Sequence, residues 1–121
     1  SIISYVEAKN IGEKKWEAYK YCGRERTGLD LIYWIKKVQD LGCGEILLTS
    51  IDYEGMQKGF DIELVNSFCN IVKVPLIISG GCGKISDIEI IKSKFINVSV
   101  ALASVLHYKK IKIQKIKELF R

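Results

Sequence analysis

Residues 42–61 read GCGEILLTSIDYEGMQKGFD and join an apolar run, a polar segment and the start of a new helix. The run at 46–48 is continuous, as in strands that are buried on both faces. Polar groups follow at Thr49, Asp52 and Glu54, before a glycine lets the backbone turn. Polar side chains at the carboxyl ends of parallel strands are typical of functional sites, so the stretch predicts a parallel sheet with its site at that edge.

The pattern of an apolar strand with a polar end occurs four times along the 121-residue chain. Between the strands, apolar residues recur at helical spacing, for example at Leu29, Ile32 and Ile35. Ser86 followed by Glu89 indicates a capping box at the start of the third helix. These signals predict four βα units. The predicted strands are 2–7, 45–51, 74–79 and 98–103, and the last helix is 113–120.

Residues 9–26 form a longer insertion after the first strand, and alternation around Trp16 and Ala18 predicts a small hairpin within it. The only proline, Pro75, lies at the entry of the third strand, where a missing N–H is tolerated. Because no Pro-rich, Ser-rich or low-complexity segment interrupts the pattern, residues 1–121 are predicted to form one unit without an internal domain boundary.

Composition excludes several classes of protein. Hydrophobic residues make up 48%, enough for a buried core, yet no apolar run approaches the roughly 20 residues that span a bilayer. With no recognisable secretory signal, a cytoplasmic protein without a membrane partner is predicted. Much of the net charge of +5 comes from lysines within 109–117, which alternate with apolar residues as on a solvated helix face. No motif interleaves aromatic residues with this charge, so no nucleic-acid partner is predicted.

The cysteines include no Cys-x-x-Cys pair and have no histidine cluster nearby, so neither a metal site nor a cofactor is predicted. Reduced thiols are favoured over disulfides, as expected for a cytosolic protein. His107 is the only histidine, and because it has no Ser or Asp partner at suitable spacing, a structural hydrogen bond is favoured. The four cysteines are Cys22, Cys43, Cys69 and Cys82.

Right-handed crossovers place the helices of four βα units on one face of the sheet. The other face, expected to carry Thr49 and Ser50, is then left open. A (β/α)₈ barrel closes such a face and takes about 250 residues, of which this chain supplies about half. The predicted fold class is therefore α/β, a (βα)₄ half of a TIM barrel.

Three motifs carry a resemblance to a known family. Residues 45–55 (EILLTSIDYEG), 74–83 (VPLIISGGCG) and 101–107 (ALASVLH) resemble the C-terminal half of the cyclase subunit of imidazole glycerol phosphate synthase. That enzyme of histidine biosynthesis is a (β/α)₈ barrel, and the resemblance extends over essentially the whole chain. It implies that the chain is the C-terminal half-barrel.

The resemblance implies a lyase-type cyclase activity. The family forms imidazole glycerol phosphate and an aminoimidazole carboxamide ribotide from a ribulosyl-linked precursor. It uses ammonia that a glutaminase subunit delivers through the barrel. The implied partners are therefore a glutaminase and a phosphorylated ribosyl-type substrate.

Glu7 is the principal catalytic candidate. The family's acid/base pair consists of two aspartates, at the tips of strands one and five of the barrel, and the resemblance aligns Glu7 with the second. A carboxylate at a strand tip suits proton transfer, although glutamate is one methylene longer and displaces the accepting oxygen. The residues alone also allow a strand-end glutamate paired with Lys9 or another lysine.

A phosphate site is predicted at the ends of the last two strands. Glycines after Ser79 allow the backbone to approach an anion, and a helix opening at Ser104 would direct free N–H groups at the same oxygens. Two tight turns without a ligand are the alternative. Glu54 and Gly55 match family residues that border the same phosphate. The predicted substrate- or phosphate-binding residues are Thr49, Glu54, Gly55, Ser79, Gly80, Gly81, Ala103 and Ser104.

Four residues have more than one possible role. Asp52 is predicted to position substrate or assist proton transfer, or else to cap its loop through backbone N–H groups. The hydroxyl of Thr49, like that of Ser50, fits either packing or ligand binding. Glu45, at the opposite end of its strand, matches the charged gate that the family keeps at the ammonia entrance, and an ordinary salt bridge is the alternative.

Departures from the family pattern leave two other functions open. The departures are Glu7 in place of aspartate, Tyr53 in place of a basic residue, and residues 94–97 in place of a Gly-Ala-Asp-type turn. Paralogues of the cyclase work with glutaminase-like partners in the amidation of bacterial surface sugars. A non-catalytic barrel that conducts ammonia, or an inactive half-barrel, is the other alternative. The open sheet predicts association as a homodimer or with an N-terminal half-barrel, with the first and fourth strands as its edges.

Overall fold

The computed structural model describes residues 2–20 and 25–101. Within these residues a six-stranded sheet carries three helices, none of which is long and apolar enough to cross a bilayer. The strands are β1 (Ile3–Gly12), β2 (Lys15–Lys20), β3 (Glu25–Asp30), β4 (Glu45–Ser50), β5 (Leu76–Ser79) and β6 (Val98–Val100). The helices are α1 (Leu31–Asp40), α2 (Ile62–Phe68) and α3 (Ile85–Lys94).

Strands β1, β4, β5 and β6 are parallel neighbours in that order and correspond to the four predicted strands. In their register Val6 lies beside Leu48, and Leu48 beside Ile78. β5 begins two residues later than predicted, after Pro75, which has no N–H for the ladder. The predicted end of the fourth strand at 103 and the predicted helix 113–120 lie outside the described residues.

The predicted hairpin is present and larger than expected. β1 continues beyond Glu7, where it pairs antiparallel with β2, and β3 adds a further antiparallel strand on the far side of β2. The buried carboxylate of Glu17 accepts hydrogen bonds from the Arg26 guanidinium at 2.9 Å and the Gly28 N–H at 3.1 Å. The hydrogen bond from Arg26 lowers the pKa of Glu17. This pair joins β2 to β3.

The core lies on one face of the sheet, where even-numbered side chains of the parallel strands point at the helices. Val6, Leu48 and Ile78 are all 2% exposed or less. On the opposite face Tyr5 is 72% and Ile3 39% exposed. The prediction that the helices cover only one face is therefore confirmed for the described residues. Helix residues in the core are Leu31, Ile35, Leu64, Phe68, Ile88 and Ile91.

Helix α2 is anchored to the end of β4 through its N-cap, Asp61. One oxygen of this buried carboxylate accepts the Leu64 N–H, and the other accepts the Ser50 hydroxyl, each at 3.1 Å. Ser50 therefore lies on the helix-covered face, and its predicted place on the open face is wrong. The reason is strand alternation, which sends Thr49 and Ser50 to opposite faces.

The start of α3 differs from its predicted capping box. The helix begins at Ile85, with Lys84 as its N-cap. The carboxylate of Asp87, 7% exposed, accepts the Lys84 N–H at 3.0 Å, whereas Glu89 is exposed. The capping box of Ser86 and Glu89 is therefore wrong, because a buried carboxylate two residues earlier satisfies the free backbone donors.

The burial of the Asp61 carboxyl leads to a prediction of how the stability of the fold depends on pH. Burial raises the pKa of its carboxyl, so ionisation is less favourable in the folded chain than in the unfolded chain. Its stabilising contribution is present below the unfolded pKa of about 3.9 and is lost as the pH rises through the folded pKa. Asp61→Asn keeps a good N-cap without this ionisation.

We expect the free energy of unfolding of the wild type, minus that of Asp61→Asn, to increase as the pH falls from about 7 to about 4. Urea denaturation of both chains across this range measures the difference, in which the other carboxyls cancel. Asp40→Asn, at the end of α1, serves as the control for loss of a carboxylate. A difference that stays flat or decreases towards low pH would contradict the assignment.

Candidate functional site

A row of polar side chains crosses the open face, at the carboxyl ends of β4 and β5 and in the middle of the longer strand β1. Glu7 of β1 pairs in register with Thr49 of β4, which pairs with Ser79 of β5. One layer below, Tyr5 and Leu47 are paired in the same way. Side chains in one register row of a parallel sheet lie on the same face, so these three polar groups are neighbours. We call Glu7, Thr49 and Ser79 the strand-end row.

A cavity of 280 Å³ lies over the strand-end row. Glu54, from the segment after β4, adds a second carboxylate to its wall. The structure therefore brings together four predicted site residues: Glu7, Thr49, Glu54 and Ser79. The sequence prediction missed Tyr5, although its position two residues before Glu7 on the same strand would have identified it. The remaining lining residues are Val6 and Ile51.

Asp52 lies outside this cavity. Its carboxylate accepts the Asn10 N–H at 2.7 Å and lies 3.6 Å from the ammonium group of Lys9. These contacts tie the segment after β4 to the end of β1, close to Glu7. The donor belongs to β1 and not to the loop after β4, so this bond differs from the predicted loop cap, and Lys9 pairs with the same carboxylate.

The glycines after Ser79 have a structural role that the sequence did not reveal. Gly80 and Gly81 have φ values of +98° and +108°, in the region that favours glycine. A Cβ on Gly81 would overlap the carbonyl oxygen of Gly59, and a Cβ on Gly80 would lie 2.8 Å from the carbonyl oxygen of Ser50. Close packing between two loops therefore requires these glycines whether or not an anion binds. Substitution of Gly81 would therefore disturb the packing of the two loops.

The remaining predicted residues are more distant or lie outside the described part. Glu45 is half-buried at the amino end of β4, on the same face as Thr49, and pairs in register with Ile3. It therefore lies at the opposite end of the sheet from the strand-end row. Gly55 follows Glu54 in an exposed turn. Ala103, Ser104 and His107 are outside the described residues.

The cysteines and acidic groups offer no metal centre within residues 2–20 and 25–101, where no cluster of three or more potential ligands occurs. Cys43, Cys69 and Cys82 are free thiols, and Cys22 is not among the described residues. Burial raises the pKa of the Cys82 thiol to about 11. That thiol is therefore protonated and unreactive at neutral pH.

Comparison with known proteins bears on what this cavity does. A family model described as "Histidine biosynthesis protein" matches residues 1–112. The chain is 45% identical over 118 residues to imidazole glycerol phosphate synthase subunit HisF of Prochlorococcus marinus strain MIT 9312, covering 96% of this chain and 46% of that protein. It is 49% identical over 114 residues to the subunit HisF of Methanococcus vannielii, covering 93% and 41% of the two chains.

The chain thus spans about half the length of the curated relatives that it matches. The parallel sheet with helices on one face agrees with half of a TIM barrel. Since the family model extends over nearly all of its residues, the chain belongs to the histidine biosynthesis protein family.

Proposed function

We propose that this chain contributes half of the active site of an imidazole glycerol phosphate synthase cyclase, a lyase-type enzyme of histidine biosynthesis in the cytoplasm. The observation that carries the proposal is the strand-end row, which sets Glu7, Thr49 and Ser79 side by side in a cavity at the carboxyl ends of parallel strands. In TIM-barrel enzymes the active site is built at this end of the strands. Its substrate is a phosphorylated ribosyl-type compound.

Glu7 is proposed as the proton-transferring group. Glu7 lines the cavity and is paired in register with Thr49, and Tyr5 lies one layer below on the same face. A carboxylate beside an apolar floor can take and return a proton at a substrate held above the row. Asp52 contributes indirectly in this proposal, because its bond to Asn10 holds the loop after β4 beside the end of β1.

The phosphate is proposed to bind where Ser79 leads into Gly80 and Gly81. Ser79 lines the cavity, and the backbone turns directly after it, where both glycines have positive φ values. Glu54 and Gly55 border this site from the neighbouring loop. Ala103 and Ser104 are proposed to complete it.

A glutaminase partner is proposed to supply ammonia at the other end of the sheet. Glu45 shares the open face with Thr49 but lies at the amino end of β4, and only Leu47 separates the two residues on that face. An ammonia path along the open face would therefore run from Glu45 towards Glu7. This path needs a second half-barrel to enclose it, supplied by an N-terminal half-barrel or by a second copy of the chain.

A cyclase-like paralogue that supplies ammonia for amidation of surface sugars is a second candidate. The observation in its favour is Glu7, whose longer side chain stands where the family has aspartate. Such a paralogue would bind the glutaminase without turning over the cyclase substrate.

Turnover tests the proposal directly. We expect the chain to have little cyclase activity alone and to gain activity when combined with the N-terminal half-barrel of a relative. In that combined enzyme Glu7→Gln should lower kcat by about 10²-fold or more, because it removes the proton acceptor without changing the side chain's size. Glu13→Gln, in the exposed turn after β1, should leave kcat unchanged.

Two results would count against the cyclase assignment. One is full turnover by the unpaired chain, and the other is an unchanged kcat for Glu7→Gln. Glutaminase binding without any turnover of the cyclase substrate would instead favour the paralogue.

Phosphate binding can be tested without turnover. We expect Ser79→Ala to weaken binding of ribose 5-phosphate about fivefold, as loss of one hydrogen bond predicts, with little change in melting temperature. Ser99→Ala is the matched control, since Ser99 is an exposed serine on the same face of neighbouring β6 but outside the cavity. Titration calorimetry gives both affinities. Equal weakening by the two variants would remove Ser79 from the site.

The open face predicts association. Replacing Tyr5, the most exposed aromatic residue of this face, by glutamate should place a charge in the joined surface of two half-barrels. At protein concentrations of tens of micromolar, in the range of ordinary protein association, we expect the wild type to sediment as a dimer. The Tyr5→Glu variant should sediment as a monomer. Tyr33→Glu, on α1 at 55% exposure, should remain dimeric. A monomeric wild type would contradict self-pairing and leave the N-terminal half-barrel as the proposed partner.

A further inference from the structure

The segments after β4 and β5 are joined through their backbones. We call residues 51–61 the β4 loop and residues 80–84 the β5 loop. The Gly59 N–H of the β4 loop donates a 2.8 Å hydrogen bond to the carbonyl oxygen of Gly81 in the β5 loop. Glu54, which lines the cavity, and Gly80, which follows the cavity-lining Ser79, therefore belong to loops that are joined through their backbones.

Two glycines of the β5 loop leave no space between these loops. A Cβ on Gly81 would overlap the carbonyl oxygen of Gly59, and a Cβ on Gly83 would overlap that of Gln57. The separation of the loops is thus smaller than the width of a methyl group at both places. Such close backbone packing fixes the position of one loop against the other as long as the β5 loop itself keeps its conformation.

Asp87 is placed to hold it. Its buried carboxylate, in the first turn of α3, accepts the Gly83 N–H at 2.8 Å and the Lys84 N–H at 3.0 Å through one oxygen. Its other oxygen would lie 3.4 Å from a Cβ on Gly59 and so faces the β4 loop. One carboxylate is therefore hydrogen-bonded to the β5 loop and lies next to Gly59 of the β4 loop.

These contacts exceed what capping of α3 requires. A capping carboxylate satisfies donors at the start of its own helix, and the Lys84 N–H is such a donor. Gly83 precedes the N-cap and belongs to the β5 loop, and Gly59 belongs to a different loop altogether. Hydrogen bonds to an ionised carboxylate are stronger than neutral ones, and removing the acceptor would leave the part-buried N–H groups of Gly83 and Lys84 without this partner.

We infer that Asp87 is a positioning residue for phosphate binding: its carboxylate fixes the β5 loop against the β4 loop, so that Gly80 and Gly81 present their backbone to the ligand in one conformation. The inference rests on the proposed phosphate site, although Asp87 itself does not line the cavity. Because a preorganised loop binds its ligand without an ordering cost, loss of Asp87 should weaken affinity.

Two variants and one control separate the possibilities. Asp87→Ala removes the acceptor, whereas Asp87→Asn retains an acceptor oxygen but loses the charge. Glu89→Ala removes a carboxylate from an exposed position two residues further along the same helix. The two readouts are the dissociation constant of ribose 5-phosphate and the hydrogen-exchange rates of backbone amides, both measured by NMR on the 121-residue chain.

We expect the dissociation constant to rise about tenfold in Asp87→Ala and about threefold in Asp87→Asn, since the asparagine restores part of the bonding. The Gly59 and Gly83 amides should exchange at least about tenfold faster in Asp87→Ala, because their loop is released. The Phe95 amide, which donates to Ile91 at the far end of α3, should keep its rate. Glu89→Ala should change neither readout.

Unchanged exchange at Gly59 in Asp87→Ala would overturn the inference. Equal acceleration at Gly59 and Phe95 would also overturn it, because Asp87 would then support the helix as a whole. If Asp87→Ala fails to fold, Asp87→Asn decides by the same two readouts. If the wild type does not bind ribose 5-phosphate, the proposed phosphate site fails, while selective loss of protection at Gly59 still supports the role of Asp87 in holding the loops.

Discussion

The register of the parallel strands is the constraint on which the site depends. Val6, Leu48 and Ile78 occupy one row on the helix-covered face, and their burial fixes how β1, β4 and β5 align. The next residue of each strand is necessarily on the other face. Glu7, Thr49 and Ser79 are therefore neighbours because the residues before them are core residues. A slip of one residue in any strand would remove its member from the row.

The sequence predicted the parallel strands and much of the cavity because both follow from local pattern. Apolar runs marked β4 and β5, and polar groups at their ends marked Thr49, Glu54 and Ser79. The predicted orientation of Ser50 was wrong because side chains alternate between the two faces up to the last residue of the strand. The predicted capping box of α3 was wrong because the carboxylate that accepts the backbone N–H groups there is that of Asp87. It accepts from Gly83 in the β5 loop as well as from the N-cap, Lys84.

Other features depended on contacts distant in sequence. Asp52 lies beside Asn10, 42 residues away, and no local pattern indicates this bond. Gly59 and Gly81 approach each other only because β4 and β5 are adjacent. The sequence identified glycines near an expected ligand, and the structure adds that the same glycines are needed for the contact between loops. Loop packing requires glycine at position 81, and the proposed phosphate binding would require it too, so the sequence alone could not distinguish the two reasons.

The hairpin also limits how the sheet can grow. The first strand was expected to be an edge along its whole length, but β2 pairs with β1 from Glu7 onwards. Within the described residues, only the beginning of β1, from Ile3 to Val6, has no strand on that side. A strand that completes a barrel beside β1 can therefore make a ladder of about four residues before it meets the hairpin. The hairpin would therefore limit how far a strand added on this side could slide along β1, and so would restrict the register of any sheet that closes there.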